Sequence, residues 1–536
     1  MVVMKPSIEE LKKRTDGLDV LPQILRAAQM GFEKMDKEYI DLFRWYGLYQ
    51  QKPKDGYFML RIKIPNGELL ANQIRAVAAI ANSFGRGLVD ITTRQNYQLH
   101  WIKIEDVPEI FERLHNVGLL TTGACGDVPR NVVGCPVAGL DAEEFCDATP
   151  IVKRVSAFLT GNKDFSNLPR KFKISISGCR QRCAQPDIND IGIYGTERLR
   201  ANRYEYGFGL MVGGGLSTRP YFAADLGVFL KPEQVFEVVH RIAIIFRDAE
   251  VLRKDRSKSR LKFLIHDPQI GIGPQRFRAL LEEKLGYQLE DHHSPEPLGN
   301  SDDDHLGIRP QRQEGFYYIG VPVLSGRTTG DTLLRLADLA EEYSTQAMVR
   351  NTNKQNFILT FVPEHRVPPL AEKLKALGLP PLSQPFRRGM VSCTGNQFCN
   401  LAITETKNLS IHIAERLERL FPEARSHVRI HISGCPNNCA QTAIADIGLR
   451  GGLTKVDGQS IESYDLVVGG RTGAGRRFAE TVARKIPASE VVTVIANLYR
   501  AFLAWSKNGE TFSTFVDAMG TEQLAALAQS SAESRV

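Results

Sequence analysis

Ser433-Gly434-Cys435-Pro436-Asn437-Asn438-Cys439-Ala440-Gln441 repeats, at an offset of 256 residues, the pattern of Ser177-Gly178-Cys179-Arg180-Gln181-Arg182-Cys183-Ala184-Gln185. Further matches lie around this one. Residues 57–67, YFMLRIKIPNG, align with 316–326, FYYIGVPVLSG, at an offset of 259. Thr92-Thr93-Arg94-Gln95-Asn96-Tyr97 aligns with Thr352-Asn353-Lys354-Gln355-Asn356-Phe357 at 260, and Val212-Gly213-Gly214 with Val468-Gly469-Gly470 at 256. Four ordered matches at nearly one offset mean two copies of a half-module. Two copies are too few for a solenoid, so the expected arrangement is a pseudo-two-fold pair.

Each copy reads as α+β. Leu60 to Ile64 alternates like a strand, Asn72 to Ser83 has helical spacing, Gly87 to Ile102 is strand-like, and Val107 to Val117 is again helical. The same order recurs from Gly315 to Leu377. Phe172 to Ser177 and Val428 to Ser433 are predicted strands that end at Ser-Gly-Cys turns. Each cysteine pair thus falls where a strand stops and a helix can begin, and helix N–H groups there would stabilise thiolate charge.

The chain has 536 residues, 43% of them hydrophobic, too long for one ordinary domain. Lys+Arg of 68 against Asp+Glu of 61 leaves a net charge of +7. So mild an excess fits an anionic cofactor, an anionic substrate or an acidic small protein better than nucleic acid. No apolar run is long enough to span a bilayer, and Met1 to Arg14 has no apolar stretch of a secretory signal. Nine cysteines without export point to thiols or metal ligands in a reducing cytoplasm.

Cys393 and Cys399 form C-x5-C, and Cys435 and Cys439 form C-x3-C after a gap of 35 residues. Four thiolates converging from two turns can hold a [4Fe–4S] cluster, one sulfur per iron. A structural zinc site would more often show C-x2-C pairs. Strand alternation puts Lys171 and Lys173, on either side of Phe172, on one face, and likewise Arg94, Gln98 and His100.

From about Tyr46 to Phe515, these motifs and the duplication resemble the siroheme-dependent nitrite and sulfite reductases. The resemblance implies a ferredoxin-like domain built jointly from both copies, plus two related α/β siroheme-reductase domains. The expected boundaries are an N-terminal helical extension (1–45), ferredoxin-like halves (46–120 and 315–385), reductase domains (121–287 and 386–521), a linker (288–314) and a tail (522–536). It implies siroheme and a [4Fe–4S] cluster as cofactors, the cluster held by Cys393, Cys399, Cys435 and Cys439, with Cys439 bridging to the siroheme iron. Arg61, Arg130, Lys171 and Lys173 would form the anion pocket above that iron. Arg94, Gln95, Gln98, His100, Asn437 and Arg471 would meet the siroheme carboxylates. A cation about 4 Å from an oxyanion is worth roughly 4 kcal/mol at an effective dielectric near 20.

The copies divide this equipment. Opposite Arg61, Arg130, Lys171 and Lys173 stand Gly320, Thr394, His427 and Arg429. Copy one keeps the cations and copy two the complete thiolate set. Cys135, Cys179 and Cys183 align with three of the four ligands, but Pro129 stands opposite Cys393. They read as a relic of duplication, or as a second cluster with Cys125 or Cys146 as the missing ligand. The resemblance also raises a thioether bond between Tyr49 and Cys125.

The expected reaction is six-electron reduction of sulfite to sulfide, with electrons from reduced ferredoxin and the chain acting as a monomer. A second lysine at 173 suits the sulfite dianion; reduction of nitrite to ammonia by the same machinery is the near alternative. A cobalamin-pathway enzyme of the precorrin-3B synthase type, or a cluster-bearing electron carrier, would not need the four cations. Neither glycine-rich segment forms a GxGxxG turn after a strand, so no flavin or NADPH domain is expected. The basic run Arg253, Lys254, Arg256, Lys258, Arg260 and Lys262 reads as a solvated face that could meet an acidic ferredoxin. His292 and His293 read as spacer residues.

Overall fold

The computed structural model describes residues 6–293, 304–507 and 509–529. Residues 294–303 of the expected linker and 530–536 of the tail lie outside the described residues. The two copies fold around each other through exchanged strands. In copy one Leu48–Gln50, Tyr57–Ile62, Tyr97–Lys103 and Leu88–Ile91 form an antiparallel sheet, whose fifth strand is Arg327–Thr329 of copy two. In copy two Gly307–Pro310, Phe316–Val321, Phe357–Pro363 and Met348–Asn351 are completed by Glu68–Leu70 of copy one. Each half covers an edge that the other would leave open.

Helices Ala71–Phe84 and Gly330–Tyr343 begin directly after the exchanged strands. Ile74, Val77 and Ala81 meet Leu333, Leu336 and Ala340 in one core shared by both sheets. Burying each large aliphatic side chain there contributes about 1.5–3 kcal/mol. The exchange also needs close approach at Gly67, which has φ +73 and where an added Cβ would stand 2.2 Å from the Asn351 carbonyl oxygen. Three-residue strands carry too little alternation to be read from sequence.

The turns Thr92–Tyr97 and Thr352–Phe357 match because they do the same structural job. Gln95 donates to the carbonyls of Asn66, Gly134 and Asn351 and accepts from the Gly134 N–H. Gln355 donates to Ile91 and Ser392 and accepts from the Ser392 N–H. Each buried carboxamide ties its own turn to the opposite half and to the first strand of the following domain.

The larger domains have matching mixed sheets. In copy one Val133–Gly134, Ile174–Ser177 and Ile191–Arg200 run parallel, followed by antiparallel Arg203–Val212 and Ala224–Asp225. In copy two the order is Met390–Ser392, Ile430–Ser433, Ile447–Val456, Gln459–Val468 and Glu480–Pro487. All the cysteine loops of the repeat leave the C-terminal ends of the parallel strands. No α-helix follows the second cysteine pair in either copy, contrary to expectation. Single 3-10 turns follow instead, Pro186–Ile188 and Thr442–Ile444. The preceding Gln185 and Gln441 adopt left-handed φ values of 57° and 64°, which stop right-handed propagation.

The span read as linker is structured at both ends. Glu290–Asp291 pairs with Val228–Phe229, and Gly307–Pro310 belongs to the copy-two sheet. His292 is packed rather than a spacer: its Nε2 lies 3.1 Å from Thr196 Oγ1 and its ring stands edge-on to Phe229. The N-terminal extension is helical, with Ile8–Arg14 and Leu21–Met30, and docks through Lys12 Nζ, 3.2 Å from Asp127 Oδ2. The last helix, Phe512–Gln529, kinks at Gly520 and runs into the expected tail. Among the described residues no helix is long and apolar enough to cross a membrane.

Candidate functional site

Cys393 follows strand Met390–Ser392, and Cys435 follows Ile430–Ser433. The parallel pairing of these strands brings the two cysteine loops together. Gly434 and Gly451 let the loop cross the next strand, since a Cβ at 451 would stand 2.8 Å from the Gly434 carbonyl. Burial pushes the Cys393 thiol up to about 12, and the Cys439 charge adds to this, while N–H groups of Gly434 and Gly395 oppose it. Burial likewise raises Cys399 and Cys435, opposed by N–H groups of Leu401 and Ala402 and by the backbone and side chain of Asn437. Loop N–H groups, not a helix end, meet the sulfurs. Cys439 is exposed, and its carbonyl accepts from Thr93 Oγ1 of copy one at 3.4 Å.

Copy one supplies the opposite wall. Arg61, on strand Tyr57–Ile62, places Nη1 3.0 Å from Cys125 Sγ and Nη2 2.6 Å from Gln98 Oε1. Burial works against its charge, but Cys125, Tyr49 and Cys439 hold the guanidinium ionised. Tyr49 lies under the same group, 5.9 Å from ring centre to guanidinium, so Tyr49 and Cys125 share one neighbour. Gln98 also donates to Thr394 Oγ1 at 3.0 Å, linking Arg61 to the residue after Cys393. Arg130 folds onto its own loop, with Nη2 2.7 Å from the Gly126 carbonyl. Burial lowers Lys171 to about 7, helped by Arg260 and Arg130 and opposed by the Cys439 thiolate. Lys173 falls well below its ordinary value through burial, Arg94 and Lys171. Among the described residues neither ammonium has an acidic partner at ion-pair distance. The walls of the opening between the copies include Arg94, Lys173, Asn438, Cys439 and Gln441.

Other candidates are engaged elsewhere. Gln95 is spent on the backbone bonds described above. His100 is buried, with Nδ1 3.3 Å from Gln51 Oε1 and Nε2 3.2 Å from Asp90 Oδ2. Its ring stacks on Phe398 at 4.0 Å, so it supports the loop that carries Cys399. Arg471 binds the Gly475 carbonyl, Ser513 and Asp517. Arg94 reaches Asn189 Oδ1 at 2.8 Å and the carbonyls of Asn131 and Ile174, while its Nε has no partner.

Apart from exposed Lys254, the basic run is engaged by the protein rather than left as a solvated face. Arg253 and Arg256 bind Glu9, Lys258 binds Asp267, and Lys262 donates to the carbonyls of Leu216 and Arg219. Arg260 makes a two-point pair with Asp190 at 3.1 and 2.7 Å. The sequence reading therefore missed Arg260, which sits behind the two lysines. Charge density alone could not separate it from surface residues. Lys63 was also missed; burial, Arg130 and Arg94 lower it to about 7.

This donor set fits both implied groups. One buried and two half-buried thiols with N–H donors aimed at them, and a fourth exposed beside them, suit an anionic cluster with one sulfur shared outward. Arg61, Arg94, Arg130, Lys171 and Lys173 outnumber the local carboxylate, Asp190, which Arg260 already holds. Such an imbalance suits a polycarboxylate tetrapyrrole and an oxyanion.

Two domain families match, each twice. The nitrite and sulphite reductase 4Fe-4S domain covers residues 125–289 and 383–535. The nitrite/sulfite reductase ferredoxin-like half domain covers 49–117 and 309–377. An assimilatory ferredoxin-dependent nitrite reductase of Haloferax mediterranei is 36% identical, over 96% of this chain and 92% of the relative. A ferredoxin sulfite reductase of Mycolicibacterium paratuberculosis is 34% identical, over 96% and 95%. The ferredoxin–nitrite reductase of Synechococcus elongatus is 38% identical, over 91% and 95%. The solved NirA protein of Mycobacterium tuberculosis superposes with a TM-score of 0.89 at 35% identity, covering 97% of each chain. The chain belongs to the nitrite and sulphite reductase family, oxidoreductases that carry siroheme and a [4Fe–4S] cluster.

Proposed function

We propose that the chain reduces sulfite to sulfide in six one-electron steps, with reduced ferredoxin as donor. One observation carries this reading: Lys173, without an acidic partner among the described residues, lines one opening with Arg94 and Cys439, and Arg61 and Lys171 are near enough to feel the Cys439 charge. Siroheme bound there supplies electrons at the metal where the anion sits. Arg94, Gln98 and Asn437 are the candidates for its carboxylates, and Cys393, Cys399, Cys435 and Cys439 for the cluster. Arg61 and Arg130 hold the oxyanion, each fixed by a bond to its own side of the pocket. Lys171, lowered to about 7, can give and recover protons near neutrality. The ferredoxin assignment rests on the names of the relatives above.

Sulfite is favoured by the second lysine, because a bound dianion, more than a monoanion, restores the positive charge that burial suppresses on Lys173 and gains more from it. Nitrite is the second reading, since two of those relatives are named nitrite reductases. Steady-state kinetics with reduced ferredoxin should give the higher kcat/KM for sulfite. Lys173→Asn should lower the sulfite-to-nitrite ratio about tenfold. An unchanged ratio would falsify the role of Lys173 in substrate choice.

A further inference from the structure

Copy one holds thiols that this reaction does not use. Cys135 follows strand Val133–Gly134, and Cys179 and Cys183 follow Ile174–Ser177. All three are buried, and their sulfurs lie within 4.8 Å of one another. Cys179 and Cys183 are 3.6 Å apart, sulfur to sulfur. Neither cysteine considered as a fourth ligand joins them: Cys125 lies against Arg61, and Cys146 is outside the group. A histidine comes instead. His305 is buried, and its Nε2 lies 4.0 Å from Cys135 Sγ but not within 4.8 Å of all three sulfurs, so a bound ion would draw the ring inward. It has φ 54° just before strand Gly307–Pro310, and its carbonyl oxygen stands 2.1 Å from where Gly320 would carry a Cβ. Gly320 is the residue opposite Arg61, so the missing side chain makes room for His305. Val137, Leu140, Tyr318 and Ile358 close the surroundings with apolar groups.

The spacing separates one ion from a cube. Tetrahedral thiolates about 2.3 Å from zinc stand about 3.8 Å from one another. A four-iron cube seats each thiolate on its own corner, farther from the next. Among the described residues no three of Cys393, Cys399, Cys435 and Cys439 meet within 4.8 Å, whereas the copy-one thiols do.

We propose that Cys135, Cys179, Cys183 and His305 bind a single zinc ion. Three cysteines and one histidine make a closed structural set with no open position for substrate. Binding releases the thiol protons and fastens the end of the linker to copy one. The adjacent Asp304 binds Arg388 at 2.9 Å and lies 3.9 Å from His427, the residue opposite Lys171. Asp304 and His305 thus fill, in copy two, the place that the anion pocket takes in copy one.

The test is metal analysis of the holoenzyme from zinc-sufficient cells, with zinc-edge X-ray absorption on the same sample. About one zinc per chain is expected beyond the cofactor iron, with three sulfur neighbours near 2.3 Å and one nitrogen near 2.0 Å. His305→Ala should lose most of the zinc while iron content and the siroheme spectrum stay. Absorption on the native protein decides the matter if that variant folds poorly. No zinc, a further four irons per chain, or a Cys179–Cys183 disulfide in fresh protein would each overturn the proposal. So would full zinc retention in both His305→Ala and Cys183→Ser.

Discussion

Strands Ile174–Ser177 and Ile430–Ser433 offer nearly the same backbone to opposite uses. In copy two the Arg429 N–H donates to Asp446 Oδ2 at 2.9 Å, and its guanidinium pairs with the same carboxylate at 2.8 Å. In copy one the Lys173 N–H makes the matching bond to Asp190 Oδ2 at 2.8 Å. There the likeness ends, because Arg260 takes the Asp190 carboxylate. Lys173 is left without a carboxylate partner among the described residues and lines the opening. The thiols differ in the same way: copy two spreads four sulfurs around a space, and copy one gathers three around a point. A duplicated frame has kept its backbone bonds, and each copy's chemistry depends on which neighbour satisfies each charge.

The strongest way to break this comparison is at Cys439. Cys439→Ser should remove the coupled cofactor spectrum and lower kcat at least about 10³-fold, because it deletes the one exposed sulfur of the set. Optical absorption and iron counting check it. Retention of both cofactors and full turnover would remove Cys439 from the bridging role. Cys183→Ser, the equivalent change in copy one, should leave the spectrum intact.

Much of this division was legible in the sequence. The repeat offset exposed the pairing of copies, and the cysteine spacing marked the complete set. Gly320 opposite Arg61 showed which copy lacked the cation. The exchanged strands were not legible, since Glu68–Leu70 and Arg327–Thr329 are stabilised by partners about 260 residues away rather than by their own pattern. Gln95 and His100 show a related effect, Gln95 being bonded to backbone groups and His100 to Gln51 and Asp90. Polar residues along a strand look alike in sequence whether they meet a ligand or other protein groups. Gln355 held the clue, because a ligand-binding residue need not have a twin in the copy that lacks the ligand. Arg260 was hidden in a run of charges that reads as surface, and only the fold turns it onto Asp190.

Arg260 is the next point of attack, with a smaller expected effect. Arg260→Gln should free Asp190 to capture Lys173, as Asp446 captures Arg429. kcat/KM should fall about ten- to a hundredfold. The pH profile gives an independent readout. After burial, Arg260 is the largest influence lowering Lys171 towards about 7, so its removal lets Lys171 keep its proton to higher pH. Activity that depends on protonated Lys171 falls as pH rises through that value, and this alkaline limb should move upward in the variant. A lower kcat/KM with an unmoved limb would mean that Arg260 only supports packing.

The smallest effect belongs where the copies are alike. Gln185 Nε2 donates to Gln441 Oε1 at 3.0 Å, and Gln441 Nε2 donates back to Gln185 Oε1 at 2.9 Å. The residues are 256 apart in the chain, so this reciprocal pair lies on the pseudo-two-fold axis. Symmetry makes the two positions energetically equivalent, unlike Lys173 and Arg429. Gln185→Ala and Gln441→Ala should therefore cost the same, about 1 kcal/mol each. The double variant should cost little more than either single one, because the first change already removes both bonds. Thermal midpoints of the four holoproteins, taken at one scan rate, would show it. Unequal single effects, or fully additive ones, would mean that the site has broken the symmetry even on its axis, with one glutamine bound to something other than its twin.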